Sequence, residues 1–510
     1  MNDLTIMKNW VQSEFNLNLP NDVFNLISQK LQDTKYNSNL DVTNVAYIIH
    51  KLSEIPWYTQ NQILNDLKIN KDKLNELNKI IYDDDFFQHI IQKVGLGRKY
   101  WNTILPYKKN GVDEKVINYE YQFPLRLALF PGLSCMYYCG FCGRNQKARY
   151  KGNVTKDGNK RFKDIISSMP KYSTLSISGG LEPLTNPGLG EIISHAKSKG
   201  VRVPLITNAH MLTPKYLERT PGIWDLDSLR VSLYGTDDES TFFITRHKKA
   251  YNLVRNNIIE FLKLRNIKKP NLKLGLNYII IPENIDTIIP LLNYIIDINA
   301  HVDNGNGIDF LTLREDFGSV TEINDDIDKS VEGRKYHLNG FLSDEQRFKL
   351  ISIFNEFNDR VKKECPNMHV DFGYAMVALG EGILGKPLAR VTGKQMRKSG
   401  YPQMSVAVDS LGDVFLYREA GFLDRPGNDK FKAGRITSKK TIKDVISNYV
   451  QNRVEVDRDD SDCRFMDSYD HLMTLLVNQT ESDMKIKVSS PIRIEKNNLE
   501  NQISNNWYKD

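Results

Sequence analysis

The chain has 510 residues, 40% hydrophobic and 26% charged, with a formal net charge of +6. This is the composition of a soluble globular protein long enough for two or three domains. It holds no Lys/Arg block that reads as a nucleic-acid arm, no apolar stretch of membrane-spanning length, and, with five cysteines, no disulfide framework. The opening MNDLTIMKNWVQSEF lacks the apolar core of a secretory signal. A cytoplasmic protein with reduced thiols, acting on neither nucleic acid nor membrane, is therefore expected.

In residues 1–120, segments such as NDVFNLISQKLQD, NVAYIIHKLSEI and DKLNELNKIIYDDDFFQHIIQKV repeat apolar residues every three or four positions. That period predicts a helical domain, a cap or a dimerisation unit. From residue 121 the pattern changes to alternating strands and helices. PLRLALFP, STLSISGG, RVPLITNA, SLRVSLYG, LKLGLNYIII and GIDFLTLRE read as six strands. Between and after them lie helical stretches, among them RFKDIISSM, PKYLERT, AYNLVRNNIIEFLKLRN, NIDTIIPLLNYIIDIN and DEQRFKLISIFNEFNDRVKKE. In NPGLGEIISHAKSKG, Asn186 is the expected helix cap and Pro187 the expected first turn. The alternation predicts an α/β fold with a parallel sheet, as an open or partial (β/α) barrel or as a flat doubly wound sheet. Either form gathers ligands beyond the carboxyl ends of the strands. After about residue 370, MSVAVDSLGDVFLYREA reads as a hairpin and TIKDVISNYV as a helix.

Three of the five cysteines fall within SCMYYCGFCGRN, just after the first strand: Cys135, Cys139 and Cys142. Three thiolates at this C-x3-C-x2-C spacing can wrap one metal centre. A structural zinc ion takes four ligands, and the next Cys or His residues, His195, His210 and Cys365, are distant in sequence. A zinc ion with a remote fourth ligand stays open, as do unrelated buried thiols. A four-iron cluster held by three cysteines instead leaves one iron open to an outside ligand.

At this loop the chain resembles the radical S-adenosylmethionine superfamily, including the aromatic Phe141 before the third cysteine. The resemblance, which covers about residues 121–316, implies a partial (β/α)6 barrel over 121–368 and a C-terminal α+β extension over 369–510 that covers substrate; the helical domain over 1–120 lies outside it. It implies one [4Fe-4S] cluster on Cys135, Cys139 and Cys142, with S-adenosyl-L-methionine chelating the open iron and yielding a 5′-deoxyadenosyl radical. SISGGLEP resembles the family's glycine-rich motif, so Gly179, Gly180 and Glu182 are expected at the methionine ammonium. Asn208, Ser232 and Arg246 are expected to face the cosubstrate, Arg246 at its carboxylate, and Asn277 its ribose. In the extension Tyr417 stands where relatives with auxiliary clusters place a cysteine, and only Cys365 and Cys463 remain outside the loop. No auxiliary cluster is expected.

The loop and DCRFMDSYDHL are also similar to radical enzymes that remodel sugars: aminoglycoside 3′-deoxygenating diol dehydratases and, further off, nucleotide-sugar ammonia lyases. That implies abstraction of hydrogen from a hydroxyl-bearing carbon, then loss of a neighbouring hydroxyl or amine. Glu315 is the candidate carboxylate, or else an ion-paired rim residue. Tyr234 and Arg314 are candidates for holding the sugar. Strand alternation sets Arg314 and Glu315 on opposite faces. The polar insertion from Asp316 to Asp344 is a second candidate lid. Cys463 is a candidate hydrogen donor to a product radical, or a buried structural thiol. Partners implied are a flavodoxin, ferredoxin or other electron donor, and a separate reductase if the product is reduced. Modification of a ribosomally made peptide and a noncatalytic, metal-stabilised interaction protein are the alternatives from other classes.

Overall fold

The computed structural model describes residues 67–81, 110–140, 142, 149–302, 306–315, 342–372, 398–423 and 427–452, with isolated positions at 29, 44, 45, 48, 64, 456, 457, 465–467, 469, 470, 473, 474 and 477. The chain divides into two compact units, 1–114 with 475–500 and 115–474 with 501–510. In the first, α1 spans Lys71–Ile81 and starts where the Asn70 side chain accepts the Lys73 N–H at 2.8 Å. Leu74, Leu77 and Ile80 are its buried stripe. Asn44, Val45 and Ile48 are helical and buried as well.

The second unit carries the alternating elements. They are β1 (Arg126–Phe130), α2 (Val154–Ser167), β2 (Thr174–Ile177), α3 (Leu189–Ser198), β3 (Pro204–Thr207), α4 (Pro214–Arg219), β4 (Ser228–Leu233), α5 (Asp238–Thr245), α6 (Ala250–Lys268), β5 (Lys273–Ile280), α7 (Ile288–Ala300), β6 (Phe310–Glu315), α8 (Asp344–Glu364) and β7 (His369–Phe372). Each of these strands is parallel to the next. β7 is a seventh strand beyond the six expected; its four residues are too few to show a period. The C-terminal segment adds β8 (Lys398–Ser399), β9 (Ser405–Asp409), β10 (Asp413–Phe415), β11 (Lys432–Arg435), α9 (Ile442–Gln451) and β12 (Val456–Asp457).

The sheet order is β11-β10-β9-β1-β2-β3-β4-β5-β6-β7, so it is open, with β11 and β7 at its edges. β9 and β10 make the expected hairpin, and β9 then runs parallel along all of β1. One lateral row, Leu129–Ile177–Leu205–Leu229–Leu274, is fully buried and joins the apolar sides of α2, α3, α6 and α7 in one core. On the opposite face Ser232, Asn277 and Thr312 stand in register as a polar row. Among the described residues no helix is long and apolar enough to cross a membrane.

One local expectation is corrected. α3 begins at Leu189 with Gly188 as its cap, not at Asn186. The Asn186 amide is used elsewhere: it accepts from Gly188 N–H at 2.8 Å and donates to the Pro131 carbonyl at 2.9 Å and Asn159 Oδ1 at 2.8 Å. It thus braces the turn that leaves β1.

Candidate active site

The cysteine loop leaves the carboxyl end of β1 and is held from two sides. On one side it is joined to the glycine-rich loop after β2. Glu182 N–H donates to the Ser134 carbonyl at 2.9 Å, and the Thr185 hydroxyl accepts from Leu133 N–H at 2.9 Å and Ser134 N–H at 3.2 Å. Gly132 allows this approach, because a Cβ there would lie 2.7 Å from the Leu181 carbonyl.

On the other side stands α5, which the sequence pattern did not reveal. Asp237 and Ser240 form a capping box: Ser240 N–H donates to Asp237 Oδ1 at 2.7 Å, and Asp237 N–H to Ser240 Oγ at 3.3 Å. The last carbonyls of a helix lack intrahelical partners. Here Ile244 and Thr245 offer theirs to Gly140 N–H at 3.2 Å and Tyr138 N–H at 2.9 Å. Cys139 lies between those two donors.

Cys139 is buried, Cys135 and Cys142 are half-buried, and none is in a disulfide. The Tyr234 hydroxyl is held protonated far above its ordinary range, first by burial and then by the charges of Cys139, Cys135 and Cys142. Tyr137, between the first two cysteines, packs edge-on to Tyr234 at 5.9 Å and to His210 at 5.3 Å, with its hydroxyl 3.2 Å from His210 Nδ1. Among the described residues no three Cys, His, Asp or Glu side chains close tightly enough to grip a single ion. A polynuclear cluster spaces its ligands more widely than one ion does, and three thiols outside any disulfide suit it with one position left open.

Asn208, one residue past β3, lies against this loop. Its amide donates to Met136 Sδ at 3.2 Å and Cys135 Sγ at 3.6 Å, and its Oδ1 accepts His210 N–H at 2.9 Å. Glu182 is buried and binds the chain itself. Oε1 accepts from Leu184 N–H at 3.1 Å and the Thr207 hydroxyl at 2.5 Å, and Oε2 from Asn208 N–H at 2.8 Å. Burial outweighs these donors and lifts its carboxyl to about 7. Thr207 and Thr185 are partners that no local motif announces.

Gly179 and Gly180 are both needed for close approach. A Cβ on Gly179 would lie 2.5 Å from the Leu181 carbonyl oxygen, and one on Gly180 would lie 2.9 Å from Phe422 Cα and 3.0 Å from the Gly421 carbonyl oxygen. The bare face of Gly180 thus admits the C-terminal segment. Arg246 closes α5 in the left-handed conformation at φ 58°, its guanidinium 5.3 Å above the Phe243 ring. Ser232 and Asn277 share the polar row. Arg314 stands in register with Ile279, two residues beyond Thr312 on the same face, and Glu315 with buried Ile280 on the other row. Tyr417 is buried against Phe431 and hydrogen-bonded to Ser399. Cys365 is buried at the end of α8, its thiol pushed up by burial. Phe141, Cys463 and residues 316–341 lie outside the described residues.

Residues 129–295 match the Radical SAM superfamily. The chain is 35% identical over 430 residues to dTDP-4-amino-4,6-dideoxy-D-glucose ammonia-lyase of Streptomyces venezuelae, covering 84% of this chain and 85% of that one. It is 37% identical over 109 residues to AdoMet-dependent heme synthase of Methanosarcina barkeri, 21% of this chain and 30% of that one. Among solved structures it is similar to Streptococcus suis SuiB bound to precursor peptide SuiA, at 15% identity and a TM-score of 0.43, over 67% of this chain and 68% of that one.

Proposed function

This chain belongs to the radical S-adenosylmethionine superfamily, and we propose that it is a lyase that removes an amino or hydroxyl group from a nucleotide sugar. Its cofactors are the superfamily's [4Fe-4S] cluster and S-adenosyl-L-methionine. When bound, they supply a 5′-deoxyadenosyl radical for hydrogen abstraction. The observation that carries the substrate class is the 35% identity to a nucleotide-sugar ammonia-lyase, sustained over 84% of the chain.

In this proposal Cys135, Cys139 and Cys142 hold the cluster. Gly179, Glu182, Asn208, Ser232 and Asn277 line the cosubstrate site from successive strand ends, and Arg246 takes a carboxylate. The half-buried Tyr234 has its hydroxyl pushed well above the ordinary range, so it keeps its proton at neutral pH and serves as a hydrogen-bond donor and not as a base. Arg314 reaches the sugar from β6, in phase with Asn277. Glu315 is out of phase with both, so the elimination is better served by groups on the polar row. The extension covers the substrate, an assignment supported by the seating of Gly421 and Phe422 on Gly180. A small iron–sulfur or flavin protein delivers the electron.

The test is isotope transfer. Reconstituted protein incubated with ring-deuterated nucleotide 4-amino sugars should place deuterium in 5′-deoxyadenosine and release ammonia or water. Transfer from a peptide substrate alone, with none from any nucleotide sugar, would overturn the proposal.

A further inference from the structure

We propose that the Thr312 hydroxyl determines specificity by hydrogen-bonding a ring hydroxyl of the substrate sugar. This rests on the nucleotide-sugar function proposed above and names the residue that would read the sugar ring.

Alternate side chains of β6 go to opposite faces of the sheet. Leu311 and Leu313 are fully buried in the hydrophobic core. Phe310, Thr312 and Arg314 therefore lie on the other face, which carries Ser232 and Asn277. Strand pairing joins the row directly: Ser232 stands in register with Asn277, and Asn277 with Thr312. Neighbouring strands lie about 4.8 Å apart, so the three positions are contiguous. In the order β1-β2-β3-β4-β5-β6, Thr312 is the member of the row farthest from the strand that bears the cysteine loop.

Thr312 is 1% exposed, and among the described residues its hydroxyl has no hydrogen-bond partner. Two residues on, about 6.6 Å along the same face, Arg314 Nε is also buried without a partner. Buried hydroxyls are normally paired, because an unpaired one loses its hydration for nothing. The fold itself has no use for this one. Valine has the same branched shape and suits a strand equally well. The hydroxyl is thus the part of the side chain left over for a ligand.

Its neighbours decide which ligand. On the amino side the Phe310 ring covers Gly275 and leaves no room there for a Cβ, with the Arg230 guanidinium 5.3 Å from the ring centre. That end of the face is filled. Toward the carboxyl end the face runs from apolar Phe310 through neutral Thr312 to cationic Arg314. A lone hydroxyl cannot repay the desolvation of a phosphate or an ammonium. It both donates and accepts, as a sugar hydroxyl does. The charged end of a nucleotide sugar therefore belongs at Arg314, and the sugar ring deeper, at Thr312. There the ring lies beside Asn277 of the proposed cosubstrate site, within the reach that hydrogen abstraction demands.

The experiment uses the full chain, reconstituted and kept anaerobic. Without sugar, Thr312→Val removes an unpaired buried hydroxyl and should raise the thermal unfolding midpoint by about 1–2 °C, whereas Thr312→Ser should not. Equilibrium dialysis in the presence of S-adenosylmethionine then measures a thymidine-diphosphate 4-amino-4,6-dideoxy sugar and its analogues lacking the C2 or the C3 hydroxyl. Thr312→Val should bind the parent sugar about tenfold more weakly, with Thr312→Ser in between. One of the two analogues should bind the unaltered chain about tenfold more weakly than the parent, and Thr312→Val should bind that analogue and the parent alike. Affinity for S-adenosylmethionine alone should not change. A lowered midpoint in Thr312→Val would show that the hydroxyl already has a partner in the fold, and would overturn the assignment. Loss of S-adenosylmethionine affinity with the sugar affinity unmoved would overturn it too. The parent and analogues are compared on the unaltered chain, so that arm stands whatever the variants do to folding. Deuterium transfer from a nucleotide sugar, with parent and both analogues bound alike, would remove the role of Thr312 and leave the proposed reaction standing. Sugar binding that depends on Thr312, with no transfer from any nucleotide sugar, would keep that role and remove the reaction.

Discussion

At the scale of single residues, Glu182 joins structure to chemistry. Three donors from its own chain meet its carboxyl, yet burial lifts its pKa from 4.5 to about 7. A carboxyl raised on folding favours the protonated form inside. Its contribution to stability is fully present below the unfolded value and is lost as pH rises through about 7. In the proposed site a cationic cosubstrate beside it would prefer the ionised form. Affinity for S-adenosylmethionine should therefore increase from pH 6 to pH 8, bracketing the pKa of about 7, and Glu182→Gln should flatten the difference. Fluorescence titration across that range checks it; parallel profiles for both proteins would show that Glu182 is only a strut. Asn208 permits a second test. Hydrogen bonds to cluster sulfurs raise the reduction potential, and Asn208 donates to Cys135 Sγ at 3.6 Å. Asn208→Ala should lower the midpoint potential of the reduced-cluster signal in a redox titration without cosubstrate, and an unchanged midpoint would count against that bond. The thiols were legible because their spacing is local. The Glu182 partners were not, because Thr207 and Asn208 arrive from the next strand.

At the scale of elements, α5 shows what short sequence windows hide. Its eight residues lie between the strand β4 and the long helix α6 and are too few to show an apolar period of their own. The signal that was available is the Asp237–Ser240 spacing of a capped helix start. That helix matters because its final carbonyls fix the backbone on both sides of Cys139. Asp237→Ala removes the cap at a cost of about 1 kcal/mol. The helix should fray from its start and loosen the loop at its end. The expected outcome is a slightly lower unfolding midpoint together with fewer irons per chain after reconstitution. Full iron loading with the lowered midpoint would separate the helix from the loop. The Asn186 correction has a similar origin: an Asn-Pro pair is a good helix start, but here the amide meets Pro131 and Asn159, which no local window contains.

At the scale of the whole sheet, the strands and most helices of residues 121–316 were readable from their periods. The hairpin of β9 and β10 was readable too, but not its place. Pairing between β9 and β1 joins segments far apart in the chain, and strand periodicity carries no address for a partner. The order β9-β1-β2 makes β1 an interior strand, with Leu127 and Leu129 buried. The C-terminal segment therefore completes the sheet as well as approaching the site. Removing residues 398–510 would uncover the β1 ladder from Arg126 to Phe130 and expose the apolar side chains that β9 and β10 cover. An unpaired, flat, hydrophobic strand edge is a template for association. The truncated chain should be recovered as aggregate, with no cluster colour and no S-adenosylmethionine cleavage. Co-expression of residues 398–510 as a separate chain should restore soluble, brown protein, because β9 can add to β1 from outside as readily as from within. A truncated protein that is monomeric and still cleaves S-adenosylmethionine would show that the first seven strands stand alone, and that β9 serves only to carry Gly421 and Phe422 to the glycine-rich loop.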